Sequence, residues 1–326
     1  MQDDQAKFLF VGVMVVLALI SRVDRDNSVK TAVQENIRDT SLTAAALPQL
    51  PYPKSLKPAI AQNFETLVSQ TIPLIPYRKD WNLPEPQLPV KAAAAKDLDL
   101  ESDFYRFNGG VRWPLASLTK LMTAVIALEE VGLEKVATVS QSAVESEGPA
   151  GDFGAGEQYS ISDLLKAMLA VSSNDAAVAI AEFYGKENFV RQMQAKAAGL
   201  GMSETVFVDP TGLSFLNQGS ISDLEKLISY IYKTRPEILE ITRQEKAVIK
   251  EISKNLSKEL ANINNFAGRP EFLGGKTGFT DQAGGNLISI FNHGGHKILI
   301  IVLGTDDRFG QTEVLYNWIK QAYLFN

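Results

Sequence analysis

Two apolar spacings alternate through the later three-quarters of this chain. Leu118, Leu121, Met122, Val125 and Leu128 recur at intervals of three and four, which predicts a helix over about 115–130 with one buried face. Pro114, with its φ fixed and no N–H, suits the first turn of that helix. Leu164, Leu165, Met168, Leu169 and Val171 repeat the spacing behind Ser160-Ile161-Ser162-Asp163, which reads as a capping box. The pattern breaks at Ser172-Ser173-Asn174-Asp175 and resumes at once as a helix over 176–184. Further helices are expected over 189–198, 222–232 and 312–323. Apolar residues alternate or run together over 90–98 and 103–108, read as a hairpin, and over 136–139, 272–280, 286–291 and 298–303, read as strands, while 206–213 reads as a short strand and turn.

The first quarter of the chain is different. Phe8 to Ile20 is an unbroken apolar run, shorter than the ~20 residues of a comfortable span. No small-x-small cleavage site follows at Ser21-Arg22-Val23-Asp24-Arg25, so an uncleaved anchor is expected, Ala6 to Val23, with Lys7 and Arg22 snorkelling. Residues 1–23 are thus a cytoplasmic stub and a single-pass membrane anchor. Lys7 precedes the run while Arg22, Arg25 and Lys30 follow it, so charge alone argues against an extracytoplasmic head. Residues 24–89 read as a tether, polar to Gln49 and then crowded with prolines, with room for one short helix over 59–71. Residues 90–326 read as one globular domain.

Composition removes several chemistries. A net charge of −6 argues against a nucleic-acid partner. The absence of cysteine excludes disulfides, thiolate nucleophiles and cysteine zinc sites. Both histidines, His293 and His296, sit in Asn292-His293-Gly294-Gly295-His296, which reads as a solvated strand turn with no carboxylate beside it. Neither a Ser-His-Asp triad nor a metal site is expected, and a hydrolase built from this chain would use lysine as its base.

Ser117 and Lys120 are three apart, so on a helix an amine comes within reach of a hydroxyl. A serine is a poor nucleophile until a base takes its proton, and a lysine is a base only when desolvation lowers its pKa. The bland alternative is a capping serine beside a solvated lysine. Ser172, Ser173, Asn174 and Asp175, wedged between two apolar helices, are expected to be buried; mutual capping of the helix ends would also explain them. Glycines around Lys276-Thr277 weaken a strand, which close approach of a ligand backbone would explain, as would a bulge at a sheet edge with an exposed lysine. The glycine-rich stretch Glu145 to Gly156 is a connector or a loop over the site.

Ser117-x-x-Lys120, Ser172-x-Asn174 and Lys276-Thr277-Gly278 follow in the order of the three-part signature of penicillin-binding proteins and class A β-lactamases. Ser253-Lys254-Asn255 repeats the second pattern, but in what reads as a lysine-rich helix without apolar helices on both sides. From about Val90 onward the chain resembles the low-molecular-mass penicillin-binding proteins, the serine D-alanyl-D-alanine carboxypeptidase family. The resemblance implies a mixed α/β, β-lactamase/transpeptidase-like fold: an antiparallel sheet with flanking helices beside an all-helical lobe. It implies that Ser117 attacks the penultimate D-Ala carbonyl, that Lys120 takes its proton and that Ser172 relays a proton to the leaving D-Ala. Asn174 would bind the substrate amide and hold Lys120. Lys276 and Thr277 would hold the terminal carboxylate, and Gly278 completes their motif. The N–H groups of Ser117 and Phe279 would form the oxyanion hole. Peptidoglycan stem peptides are the implied partners and β-lactams the implied covalent inhibitors; neither cofactor nor metal is implied. The chain ends soon after its last helix, so the β-rich domain and C-terminal anchor of many members do not fit, and the long tether is unusual.

Three other readings share these residues: an endopeptidase cutting cross-links, a class A-like β-lactamase, and a non-catalytic wall-binding homologue. A class A enzyme needs a glutamate on a loop between the second and third motifs; the comparable region holds Asp209-Pro210-Thr211-Gly212, so a long-lived penicillin adduct on Ser117 is expected.

Overall fold

The computed structural model describes residues 75–148 and 151–325. The expected anchor over 1–23 and the tether as far as residue 74 lie outside the described residues. Among the described residues no helix is long and apolar enough to cross a membrane. In chain order the elements are β1 (Tyr77–Arg78), β2 (Ala92–Asp97), β3 (Ser102–Phe107), β4 (Trp113–Pro114), α1 (Lys120–Ile126), β5 (Val136–Thr138), α2 (Gln141–Val144), β6 (Gln158–Ser160), α3 (Ile161–Ala170), α4 (Asn174–Tyr184) and α5 (Lys186–Gly199). They continue with β7 (Gln218–Gly219), α6 (Ile221–Thr234), α7 (Pro236–Thr242), β8 (Lys246–Glu251), β9 (Leu256–Ala261), β10 (Phe272–Thr280), β11 (Gly284–His293), β12 (His296–Thr305), α8 (Arg308–Ala322) and β13 (Tyr323–Leu324).

A five-stranded antiparallel sheet runs in the order β10-β11-β12-β2-β3. The hairpin expected over 90–98 and 103–108 is β2–β3. Both faces of the central strands are covered, which is why their sequences run apolar instead of alternating with polar residues. Ile298, Ile300 and Val302 of β12 point into one core with Leu315, Trp318 and Ile319 of α8. Leu299, Ile301 and Leu303 point into the other core, shared with α1, α3, α4, α6 and α7. The helical lobe is not purely helical, since the two-stranded sheets β5–β6 and β8–β9 pack on it. The strand at the sheet edge, β10, faces this lobe across the site.

Helix starts follow local chemistry. Ser160 caps α3 by accepting from Asp163 N at 3.0 Å. Asp163 does not reach back as a full capping box requires; its carboxylate takes Lys166 Nζ at 2.7 Å and Lys250 N at 3.2 Å instead. Ser173 caps α4 through Ala176 N at 3.0 Å.

Four sequence expectations change. The helix expected over 115–130 is a 3₁₀ turn (Ala116–Thr119), then α1, then a π turn (Ala127–Val131). Pro114 is not in its first turn; it ends β4, opposite Gln218. The chain passes from strand to helix within two residues, and Ala116 takes φ 49° to do so. Of the short strand and turn expected over 206–213, the strand is reduced to one bridge, Val206 to Gln218, and the turn is present, held by side chains. Ser253-Lys254-Asn255 lies in the β8–β9 hairpin turn, not in a helix. Ala247, Ile249 and Glu251 are buried in alternation, and that period of two belongs to a strand. Finally, the described part of the proline-rich segment, residues 75–89, belongs to the folded unit, ahead of the expected boundary at 90. There β1 pairs with β13, Leu83 and Leu88 pack on the second core, and the Arg78 guanidinium lies over Trp81 at 4.9 Å and Trp318 at 5.4 Å.

Candidate active site

The 3₁₀ turn is pinned from three sides. Leu115 N donates to Asn217 O at 2.8 Å. The buried Asn286 side chain donates to Pro114 O at 2.9 Å and Leu115 O at 3.1 Å, and accepts from Gly304 N at 2.9 Å. On the third side Gly278 of β10 lies so close that a Cβ there would stand 3.0 Å from Leu115 O and 3.2 Å from Ser117 N. The turn leaves Ser117 half-buried at the bottom of the cleft while Lys120, the first residue of α1, is 0% exposed.

Lys120 Nζ makes three contacts: Ser117 Oγ at 2.9 Å, Asn174 Oδ1 at 2.6 Å and Thr211 O at 2.7 Å. Three acceptors suit an ammonium. A neutral amine keeps two N–H groups for Asn174 and Thr211 and turns its lone pair to Ser117 Oγ–H. Burial pulls Lys120 down to about 7, against the opposing charges of Asp209 and Asp175. The site therefore holds a lysine that loses its proton near neutrality, which is what a base for serine needs.

Ser172, at the break between α3 and α4, is buried with φ 60°. Its Oγ accepts from Lys276 Nζ at 2.9 Å, and the same amine donates to Thr277 O at 3.0 Å. Lys276 is 1% exposed, so it is not an edge-protecting surface lysine. Burial, with Lys120 and Arg308 as like charges, holds it well below the ordinary lysine range. Among the described residues no carboxylate pairs with it; its contacts are the Ser172 hydroxyl and its own neighbour's carbonyl, at the middle of β10. Thr277 is buried beside it and Phe279 is exposed at the rim. The structure thus brings Ser117, Lys120, Ser172, Asn174, Lys276, Thr277, Gly278 and Phe279 to one cleft between β10 and the helical lobe. Asn174 Nδ2 also donates to Glu147 O at 2.5 Å, so the glycine-rich stretch reaches the site.

The glycines around Lys276 have packing reasons. Gly274 takes φ 139° at the β10 bulge, where a Cβ would meet Thr242 Oγ1 at 2.8 Å and Leu239 O at 2.9 Å of α7. On Gly275 a Cβ would strike Ile288 O at 2.0 Å. The protein's own backbone, not a ligand's, makes these two close approaches. The histidine turn also differs from expectation: His296 Nδ1 meets a carboxylate, Asp97 Oδ2, at 2.7 Å from β2. Asp97 Oδ1 is taken by Asp99 N and Leu100 N, at 2.9 Å and 3.0 Å, so the pair closes the sheet end. Among the described residues no cluster of three or more metal-ligating side chains occurs.

Sequence reasoning missed three contributors. Asp209-Pro210-Thr211-Gly212 presents Thr211 O to Lys120 and Pro210 O to Thr123 Oγ1 at 2.6 Å. Its Asp-Pro and Thr-Gly pairs signal a turn, but nothing local says what the turn faces. Arg308, half-buried at the start of α8, donates to Gly278 O at 2.9 Å, and burial lowers its pKa. Asn286 left no sequence signal beyond being a polar residue in an apolar strand.

A family model described as D-alanyl-D-alanine carboxypeptidase, peptidase family S11, matches residues 84–307. A D-alanyl-D-alanine endopeptidase of Pseudomonas aeruginosa is 30% identical over 258 residues, covering 74% of this chain and 82% of its own length. A solved D-alanyl-D-alanine carboxypeptidase of Mycobacterium tuberculosis superposes with TM-score 0.68 at 26% identity, covering 74% of this chain and 95% of that one. Penicillin-binding protein D2 of Listeria monocytogenes, solved with cefotaxime bound, superposes with TM-score 0.65 at 30% identity, covering 73% and 99%. The order of the three motifs, the sheet between two cores and these likenesses agree: the chain belongs to the D-alanyl-D-alanine carboxypeptidase family of serine peptidases, family S11.

Proposed function

We propose that this protein is a serine-type D-Ala-D-Ala carboxypeptidase that removes the terminal D-Ala from peptidoglycan stem peptides through an acyl-enzyme on Ser117. The observation that carries the reading is Lys120 Nζ, buried and drawn down to about 7, at 2.9 Å from Ser117 Oγ. In the first step Ser117 Oγ adds to the carbonyl carbon of the penultimate D-Ala as its proton passes to Lys120. The oxyanion that forms faces the N–H groups of Ser117 and Phe279; one such donor contributes about 3–4 kcal/mol. Collapse breaks the peptide bond, and the terminal D-Ala leaves with the proton that Lys120 took, relayed through Ser172 beside Lys276, so that Lys120 is neutral again. Water then attacks the ester, Lys120 takes its proton, and Ser117 recovers its hydrogen as the shortened peptide departs. Asn174 holds the substrate amide while Lys276 and Thr277 hold the terminal carboxylate.

The test is incubation with a labelled penicillin and mapping of the adduct, then D-Ala release from a tripeptide ending in D-Ala-D-Ala. A label on Ser117 that Ser117→Ala abolishes, with D-Ala release lost in parallel, supports the reading; D-Ala release that survives Ser117→Ala sinks it, and a wild type that neither takes label nor releases D-Ala favours a wall-binding role. Rapid turnover of penicillin would instead mark a β-lactamase. A second reading is favoured by the names of two relatives at 30% identity, the D-alanyl-D-alanine endopeptidases of Pseudomonas aeruginosa and Escherichia coli. The same cleft would then cut the D-Ala cross-link between two stem peptides. Cleavage of a cross-linked dimer without release of D-Ala from the monomer decides for it. An extracytoplasmic head tied to the membrane by Phe8 to Ile20 belongs to the proposal, supported by that apolar run alone.

A further inference from the structure

Lys120 must present a lone pair to Ser117, and two of its three contacts fix how the amine is turned. Asn174 belongs to the second motif. Thr211 O belongs to none of the three, and a backbone carbonyl sits where its turn puts it. That turn is organised by one side chain. Asp209 Oδ1 accepts from Thr211 N at 2.7 Å, Thr211 Oγ1 at 2.6 Å and Gly212 N at 2.7 Å. Asp209 Oδ2 accepts from Ser214 N at 3.0 Å and Asn217 Nδ2 at 2.8 Å. Asn217, fully buried, accepts from Val208 N at 2.6 Å through Oδ1, and its carbonyl takes Leu115 N at 2.8 Å. One carboxylate–amide pair therefore ties the carbonyl that holds the base to the strand that ends at the nucleophile. Gly212 closes the fit: with φ 85°, a Cβ there would lie 1.9 Å from Ala116 O.

We propose that Asp209 is a positioning residue for acyl transfer: its carboxylate shapes the 209–217 turn so that Thr211 O orients Lys120 Nζ toward Ser117 Oγ. The inference rests on the reading of Ser117 as nucleophile and Lys120 as its base. Asp209 makes no hydrogen bond to Lys120 and acts through the turn and through its charge. Lys120 is faced by Asp209 from the turn, by Asp175 from α4 and by Lys276 from β10, with Arg308 behind Lys276. A carboxylate is needed here because five donors converge on it. An asparagine could serve the three donors on Oδ1, but its NH₂ would then meet Ser214 N–H and the Asn217 NH₂, donor against donor.

The experiment measures the rate constant for acylation by a labelled penicillin from pH 5 to 10, per acylatable site, so that an unfolded fraction does not enter. Wild type, Asp209→Asn and the exchange Asp209→Asn with Asn217→Asp are compared. Asp209→Asn is expected to acylate about 10–100-fold more slowly at its plateau, the loss that a misplaced reacting group brings. Its acid limb should move to lower pH, because an anion that favours charged Lys120 is gone. In the exchange, the amide at 209 donates to the carboxylate at 217, so both the rate and the limb should return toward wild type. A variant with wild-type rate and limb overturns the inference. A slow variant whose limb stays in place and which the exchange does not rescue also overturns it, since the turn is then scaffold alone. If the wild type itself takes no label, the reading of Ser117 and Lys120 has failed first, and this inference goes with it.

Discussion

Replacing Lys120 by methionine tests whether the base is held neutral in the fold. The lysine titrates at 10.5 in an ordinary environment and near 7 here, because burial penalises its charge. Lowering the midpoint from 10.5 to about 7 corresponds to about 5 kcal/mol of folding stability withheld at acid pH, at about 1.36 kcal/mol for each tenfold in proton affinity. Between the two values the unfolded chain binds a proton that the folded chain has released, so stability rises with pH across that window. The withheld stability is fully missing below pH 7 and is recovered as the pH approaches 10.5. Methionine has nothing to titrate. Its absolute stability is not the readout, because Ser117 Oγ, Asn174 Oδ1 and Thr211 O each lose a donor, at about 1–3 kcal/mol per orphaned group. The readout is the pH dependence of the difference between the two proteins, in which every shared titration cancels. Urea unfolding at steps from pH 6 to 10.5 should show the wild type gaining about 4 kcal/mol on Lys120→Met. Parallel curves would mean that Lys120 keeps its charge in the folded protein. The proposed general base would then be wrong.

Three further outcomes follow from the same geometry. Penicillin acylation of the wild type should rise with pH through a midpoint near 7, where Lys120 loses its proton; a rate flat down to pH 5 would remove the amine from the step. Gly212→Ala should lower stability by about 1–3 kcal/mol from the clash with Ala116 O alone, read as a urea midpoint, and should slow acylation as well. Asn286→Ala orphans Pro114 O, Leu115 O and Gly304 N, so a loss of at least about 1–3 kcal/mol, the cost of one such group, is expected with slowed acylation; an unchanged melt and rate would show that the turn does not depend on it.

The motifs were legible because each keeps its chemistry within a few residues. A helix period puts Lys120 one turn from Ser117, and a polar break between two apolar helices forecast the burial of Ser172 and Asn174. The strands of the sheet were legible because burial on both faces leaves continuous apolar runs, as in 298–303. The passage from Pro114 into the nucleophile turn was not legible. Helical spacing of Leu118 and Leu121 persists through a 3₁₀ start, and the left-handed conformation of Ala116 is imposed by β7, Asn286 and Gly212. The β8–β9 hairpin was missed because its lysines hide the alternation of Ala247 and Ile249. The folding of residues 77–88 onto the domain was missed because prolines look alike in a tether and in a clip held by Arg78 and two tryptophans.

By itself the amino-acid sequence determined which groups are proposed to carry the chemistry, since hydroxyl, amine and amide are written at fixed local spacings and a chain without cysteine has few substitutes. Tertiary structure decided how those groups are tuned. Whether Lys120 is a charge or a base depends on how much water is excluded around it. That depends on β10, α4 and the 209–217 turn, which lie 54 to 160 residues away along the chain and meet only when both cores close. Desolvation is a property of the assembled cleft, and no stretch of sequence contains it.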